Sequence, residues 1–270
     1  MRYIRTCSLP QDDVKNPNLY PYNSLRSKLA ETIIFDSITL FYGNNGSGKS
    51  TLLNLLVDKL NIKGAEKPRN FGKKDYYEQY LNHLAITFEE DEETGWSKIV
   101  PENSYYLKSE DVLYEVKKIQ QEQVLREGYR YERKRLGLSK KQVMTKQSEE
   151  KTDRDIDKLL FAQEKYSNGQ TAMQIFEDYL MPDGIYFLDE PEVSLSPKNQ
   201  LILADIITYH TRFLNCQFVI ATHSPFLLGK LEGTIYNLDL PGIQTSKWTN
   251  LPAMKEYYDF FSQFSNQFNT

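Results

Sequence analysis

The chain has 270 residues, a net charge of -4, 40% hydrophobic residues and 26% charged residues. This length suits one large domain or a domain with a sizeable insert, and the composition excludes a disordered chain. The balance of charge gives no bulk signal for nucleic acid. The two cysteines, Cys7 and Cys216, exclude a disulfide framework. With no signal-peptide core and no membrane-length apolar run, the expectation is a soluble cytoplasmic protein without membrane insertion.

In chain order, the first informative stretch is ITLFYGNNGSGKSTLLNLL, Ile38 to Leu56. Ile38 to Tyr42 predicts a buried strand. Leu52, Leu53, Leu55 and Leu56 predict an apolar helix. The segment between them fits G-x-x-x-x-G-K-[ST] with Gly43, Gly48, Lys49 and Ser50. Glycines let backbone N–H groups wrap phosphates, and the helix N-terminus faces the anion. Lys49 is then placed to reach the β- and γ-phosphates, and the Ser50 hydroxyl to ligate Mg²⁺.

Asn61 to Asp75 reads as a polar connection, and LAITFEEDEE as a strand running into an acidic turn. From about Asp111 to Gln163 the chain becomes charge-rich with helical character. Apolar heptads are not sustained, so a small inserted helical lobe over 111–165 is expected rather than a coiled coil. Arg126, Arg130, Arg133, Lys134, Arg135, Lys140, Lys141 and Lys146 stand there against two glutamates. A solvated helix face and contact with a nucleic-acid backbone both fit this cluster.

KYSNGQTAMQIFEDYL, Lys165 to Leu180, puts Ala172, Ile175, Phe176 and Tyr179 on one helix face. Ser167 and Gly169 fall at that helix's start, a second place where an anion is favoured. In GIYFLDEPEVSLSP, four apolar residues, Ile185 to Leu188, predict a strand buried on both faces, and Asp189 and Glu190 follow without a spacer. Paired carboxylates at the lip of a core repel and lose hydration, so they need a counter-charge. A Mg²⁺ held by Asp189 offers one, and Glu190, one residue further out, is placed to polarise an attacking water. CQFVIATHSPFLLGKL predicts another buried strand, Phe218 to Ala221, with Ser224 and Pro225 capping the next helix. His223 falls at the carboxyl end of that strand, where open α/β sheets bind ligands, and reads as a γ-phosphate sensor. His83 and His210 have no such setting. Tyr257, Phe260, Phe261, Phe264 and Phe268 form a stripe in the tail, read first as core packing and second as a partner surface.

The order phosphate loop, signature, Asp-Glu strand, His strand resembles that of the ABC-type ATPases. It is similar above all to the soluble branch with SMC and RecF-type proteins and small bacterial ATPases that carry an AAA-family name. The blocks YPYNSL, ITLFYGNNGSGKSTLL, IYFLDEPEVSLSP and FVIATHSPFLL carry the resemblance, which weakens between about Lys117 and Lys165. It implies an α/β P-loop NTPase of the ABC-ATPase type in a single domain, 1–270, with the helical lobe inserted. It implies Mg²⁺-dependent ATP hydrolysis in a head-to-tail homodimer. Gly43, Asn44, Asn45, Gly46, Ser47, Gly48, Lys49, Ser50 and Thr51 would hold the phosphates of one nucleotide. Ser167 and Gly169 of the partner would close on it. Ser50 and Asp189 would hold the metal, and Glu190, His223 and Lys49 would serve catalysis. Ser194 to Pro197 would lie at the dimer seam.

The signature reads YSNGQ rather than LSGGQ, and the stretch from Asn103 to Val116 lacks the glutamine that transporter ATPases carry. Glu110 stands there either as its substitute or as an exposed acid at a helix start. Tyr20 or Tyr22 is a candidate to stack on adenine. Action on nucleic acid in genome maintenance or defence is the leading role. The alternatives are the ATP-binding subunit of a membrane transporter and a nucleotide switch with a protein partner.

Overall fold

A computed structural model describes residues 2–11, 18–28, 31–66, 75–112, 114 and 168–268. The expected helical lobe, its basic cluster and Ser167 lie outside the described residues.

The centre is a six-stranded sheet in the order β5-β6-β7-β3-β8-β9. Its strands are β3 (Ile38–Tyr42), β5 (Tyr105–Lys108), β6 (Ile185–Asp189), β7 (Gln217–Ala221), β8 (Thr234–Asn237) and β9 (Gln244–Thr245). All pair in parallel except β9, which runs antiparallel to β8. The three central strands, β3, β6 and β7, are buried along their whole length. Parallel strands covered on both faces read as continuous apolar runs, which is why the sequence marked them.

Successive side chains serve opposite layers. Phe41, Phe187 and Val219 face one core, with Leu52, Leu53, Leu55 and Leu56 of α2 (Lys49–Lys59). Leu40, Leu188 and Ile220 face the other. That second core is closed by α4 (Asn168–Tyr179), α5 (Pro197–Phe213) and α6 (Pro225–Lys230). The first core is covered further by a three-stranded antiparallel sheet, which the sequence reading did not anticipate as a unit. It joins β1 (Ile4–Ser8) to β2 (Thr32–Ile34) and β4 (Ala85–Phe88). Two further helices, α1 (Tyr22–Leu25) and α3 (Tyr76–His83), lie on that side, and both supply residues to this core.

Gln217 pins the small sheet to the large one. Its Oε1 accepts from Tyr3 N at 2.8 Å and Ile4 N at 2.9 Å, and its Nε2 donates to Ile4 O at 2.9 Å and Asp36 O at 3.0 Å. Every donor and acceptor site of this fully buried amide is used.

Two expectations need correction. On α4, Ala172, Ile175 and Phe176 are buried as expected, but Tyr179 is exposed and meets Tyr105 edge-on. The larger departure is α7 (Pro252–Gln263). Only Met254 of this helix is buried. Tyr257, Phe260, Phe261 and Phe268 are 47–70% exposed and Phe264 is half-buried, so the stripe does not enter the core. The rings pack instead on one another, Phe260 against Phe261 and Phe264, and Phe261 against Phe268.

Candidate functional site

The loop between β3 and α2 takes its shape from its glycines. Gly46 and Gly48 have φ of +85° and +95°, the left-handed region that L side chains avoid. A Cβ on Gly48 would also meet Leu25 Cδ2 and Ser24 O at 2.9 Å. The loop therefore seats directly against α1. Asn44 N donates to Asp239 Oδ1 at 2.7 Å, which fastens the loop to the segment after β8. Beneath it, a chamber of ≈ 290 Å³ is lined by Gly46, Gly48, Lys49, Ser50, Thr51 and Glu190, among others.

Lys49 curls back under the loop. Its Nζ donates to Gly43 O at 2.6 Å and to His223 Nε2 at 2.7 Å, and lies 3.8 Å from Glu190 Oε1. Burial lowers its pKa, and the neighbouring Glu190 and Asp189 carboxylates work against that shift.

Asp189 ends β6 almost out of solvent, 7% exposed. Its Oδ2 accepts from Tyr106 OH at 3.0 Å, and the Ser50 hydroxyl also bonds to the carboxylate. Oδ1 is buried without a hydrogen-bond partner. Burial raises the pKa of Asp189, and the bonds from Ser50 and Tyr106 oppose the rise. A buried carboxylate bonded to the hydroxyl of Ser50, which lines the chamber, is a donor pair that suits Mg²⁺. Magnesium is usually held by one or two carboxylates with substrate phosphates completing the shell. Among the described residues, no group of three or more His, Cys, Asp or Glu could hold an ion alone.

Glu190 occupies a left-handed conformation, φ 48° and ψ 51°, unusual for a residue with a side chain. Its N–H donates to Ala221 O at 2.9 Å, which holds the backbone there. The carboxylate is one-third exposed and reaches both Lys49 and His223, the latter at 3.4 Å. Such strain, of the order of 1–3 kcal/mol, persists where surrounding structure enforces it.

His223 follows β7, half-buried. Lysine has only donors, so the short contact makes His223 Nε2 an acceptor and the ring neutral. Burial lowers the pKa of His223, with the Lys49 charge acting in the same direction and Glu190 opposing. A residue that the sequence reading passed over positions it. Glu192 Oε1 accepts from His223 N at 2.7 Å and Ser224 N at 3.1 Å. Burial raises the pKa of Glu192, and its Oε2 is buried without a hydrogen-bond partner.

The structure thus brings together residues 43–51, Asp189, Glu190 and His223. Gly169 lies in the first turn of α4. Glu110 is an exposed residue beyond β5. The group from this stretch that touches the site is Tyr106. Of the tyrosines considered for adenine, Tyr20 bonds through its side chain to Thr51, which lines the chamber. Tyr22 is buried edge-on against Tyr80, and Tyr20 stacks on Tyr77. His210 contacts the backbone carbonyls of Ile206 and Leu180, a structural role.

A parallel sheet with a glycine-built phosphate loop after β3, and acidic and imidazole side chains at the ends of β6 and β7, defines an α/β P-loop NTPase of the ABC-ATPase type. Residues 62–229 match the family described as "AAA domain, putative AbiEii toxin, Type IV TA system", and the chain belongs to that family. The match begins after the phosphate loop and takes in Asp189, Glu190 and His223.

Among solved structures, the chain is similar to the SMC head domain from Thermotoga maritima (TM-score 0.44, 14% identity, 91% of this chain and 99% of that one). It is also similar to cbiO1 from Clostridium perfringens, part of the ABC transporter complex cbiONQ (TM-score 0.47, 14% identity, 97% and 96%). A nucleotide-free ATP-binding cassette from an ABC transporter is a third (TM-score 0.46, 16% identity, 96% and 99%). A search of curated proteins finds no match. No helix among the described residues is long and apolar enough to cross a membrane.

Proposed function

We propose that the protein binds and hydrolyses ATP with Mg²⁺, and that hydrolysis opens a dimer closed around the nucleotide. The observation that carries this reading is the cluster of Lys49, Glu190 and His223 at a chamber that Lys49, Ser50 and Glu190 line, with Asp189 bonded to Ser50. Backbone N–H groups of residues 43–51 bind the phosphates. Lys49 moves its charge from His223 and Glu190 to the β- and γ-phosphates. Ser50 and Asp189 hold the metal, which when bound neutralises charge on the phosphates. Glu190 takes a proton from the attacking water. His223, neutral and anchored by Glu192, senses the γ-phosphate. Ser167 and Gly169 of a second copy complete the site.

The cytoplasm is the proposed compartment, and 1–270 the proposed single domain with the insert at 111–165. Nucleic acid is the proposed partner of the switch. The eight-residue basic cluster from Arg126 to Lys146 and the toxin–antitoxin wording of the family description support a role in genome maintenance or defence. A nucleotide switch with a protein partner is the second reading, favoured by the exposed rings of α7. ATPase activity measured with and without single- and double-stranded DNA, at low and physiological salt, tests both. Stimulation that fades steeply with salt supports the first. ATP hydrolysis indifferent to nucleic acid at low salt moves the role to the second. No hydrolysis at all removes the enzymatic reading.

A further inference from the structure

Tyr42 ends β3, one residue before the phosphate loop, and is 2% exposed. Its ring stands edge-on to the imidazole of His223, with centroids 6.0 Å apart and planes at 67°. Its hydroxyl bonds to the backbone of Ala253, in the first turn of α7. Glu256 and Tyr257, also of α7, act electrostatically on the same phenol. One buried side chain therefore spans from the imidazole of the candidate site to the root of the helix that carries the exposed rings.

A second connection runs beside it. Ser224, next to His223, caps α6 by accepting from Phe226 N and Leu227 N, each at 3.1 Å. Gly229 of α6 lies against Trp248, whose indole a Cβ at Gly229 would meet at 3.5 Å. Trp248 belongs to the short turn Trp248–Asn250 that leads into α7. Leu227 and Leu228 of α6 share one core with Leu251 and Met254 at the start of α7. Interiors packed in this way transmit displacement rather than absorb it.

The imidazole has a reason to move. Without nucleotide, Lys49 Nζ donates to His223 Nε2 at 2.7 Å. A phosphate that engages Lys49 ends that contact. Glu192 Oε1 holds the backbone N–H of His223, so the movement falls to the ring, and the ring is what Tyr42 touches.

We propose that Tyr42 is a positioning residue that couples His223 to the first turn of α7, so that nucleotide occupancy and the placement of the ring-bearing helix change together. The proposal rests on the nucleotide-site reading above. Coupling between sites is reciprocal, typically about 5–150-fold in affinity. Whatever restrains α7 then changes nucleotide affinity by the factor with which nucleotide changes the restraint.

Trp248 is a built-in probe. The chain has two tryptophans, and the other, Trp96, is 78% exposed in the segment after β4. The full chain carrying Trp96→Phe, with Ser167→Arg added against dimerisation, is titrated with a non-hydrolysable ATP analogue in Mg²⁺. Calorimetry reads occupancy. Trp248 emission and amide hydrogen exchange from Ala253 to Tyr257 read the helix. Emission should shift and saturate with occupancy, and exchange of those amides should change at least about fivefold. Tyr42→Phe keeps the ring against His223 and loses the hydroxyl. In protein that calorimetry shows to be occupied, it should lose both responses, which a purely structural tyrosine would not bring about. An occupied wild type with neither response overturns the proposal. So does a response of wild-type size in Tyr42→Phe. Should that variant not fold, His223→Ala removes the other end of the link, and a wild-type response in its occupied form overturns the proposal equally. The nucleotide reading fails separately, if the wild type does not bind the analogue, and the coupling falls with it.

Discussion

Lys49 Nζ donates to His223 Nε2 across 2.7 Å, from the loop after β3 to the loop after β7. Two groups that are usually cationic or easily made so share one contact because both are drawn out of water and one stays neutral. Glu190, 3.8 Å from the lysine and 3.4 Å from the imidazole, forms the third corner. An incoming phosphate competes for the same ammonium.

The first expectation follows from that exchange. In the free protein His223 titrates below its ordinary value, because burial and the Lys49 charge both oppose protonation. A triphosphate brings negative charge and engages Lys49, so the His223 pKa should rise on binding. NMR titration of the histidine resonances with a non-hydrolysable ATP analogue reads this directly. The resonances of His83 and His210 serve as internal controls. A His223 pKa unmoved or lowered by nucleotide would remove it from the γ-phosphate.

Glu190→Gln should retain ATP binding while turnover falls at least about a hundredfold, because the proposed proton acceptor is lost and Asp189, the proposed metal holder, remains. The same variant should accumulate an ATP-bound dimer in light scattering. Adding Ser167→Arg should prevent that dimer, since bulk then stands in the proposed seam. Wild-type turnover in Glu190→Gln would contradict its role as base, and a dimer that survives Ser167→Arg would contradict the composite site. Lys49→Ala should instead weaken binding itself.

Asp189 gives a pH-dependent expectation of defined sign. Burial raises its folded-state pKa above the unfolded value, as it does for Glu192. The folded chain then holds more protons than the unfolded chain between those values. Stability from this source is fully present below the unfolded carboxylate pKa and is lost as pH rises through the folded value. Asp189→Asn keeps an acceptor for Tyr106 and removes the buried charge. At neutral pH it should raise Tm of the nucleotide-free protein by about 2–4 °C, corresponding to roughly 1 kcal/mol. The gain should shrink toward pH 4, and stabilisation by Mg-ATP should disappear. A Tm lowered at neutral pH would mean that Asp189 is held by a counter-charge in the free protein. Tyr106→Phe should weaken Mg-ATP binding without abolishing it, by releasing one bond to Asp189.

Much of this site was legible because its residues punctuate apolar strands. Gly43 to Ser50, Asp189, Glu190 and His223 all stand at strand ends where the run of buried residues stops. Tyr106, Glu192 and Asp239 were not legible, because their roles depend on neighbours distant in sequence. Tyr106 reaches Asp189 only because β5 pairs with β6 in the register that sets Lys108 opposite Asp189. The strand of Ile4–Ser8 escaped notice for a local reason. Its pairing with β4 shifts between Ile4 and Thr6, which breaks the alternation that marks a half-buried strand. The α7 stripe shows the opposite failure. Helical spacing identifies an apolar face but carries no information on what lies against it.

The last expectation concerns the join between the two sheets. Gln217 opens the central strand β7, fully buried, where an apolar residue would otherwise suit the strand. Its amide satisfies Tyr3 N, Ile4 N, Ile4 O and Asp36 O, four backbone groups. Gln217→Leu keeps the side-chain volume roughly constant and removes all four bonds. The cost is desolvation of orphaned backbone groups, each about 1–3 kcal/mol when no relaxation occurs. Movement of β1 should relieve part of it, leaving a net loss of about 3 kcal/mol. Denaturant unfolding should show the loss as a lower midpoint, and hydrogen exchange should concentrate it at Tyr3 and Ile4. Gln217→Glu should be at least as damaging, since it loses the amide donors and buries a charge. An unchanged midpoint in Gln217→Leu would show that the small sheet is held by its apolar contacts alone, through Ile4, Cys7 and Ile33.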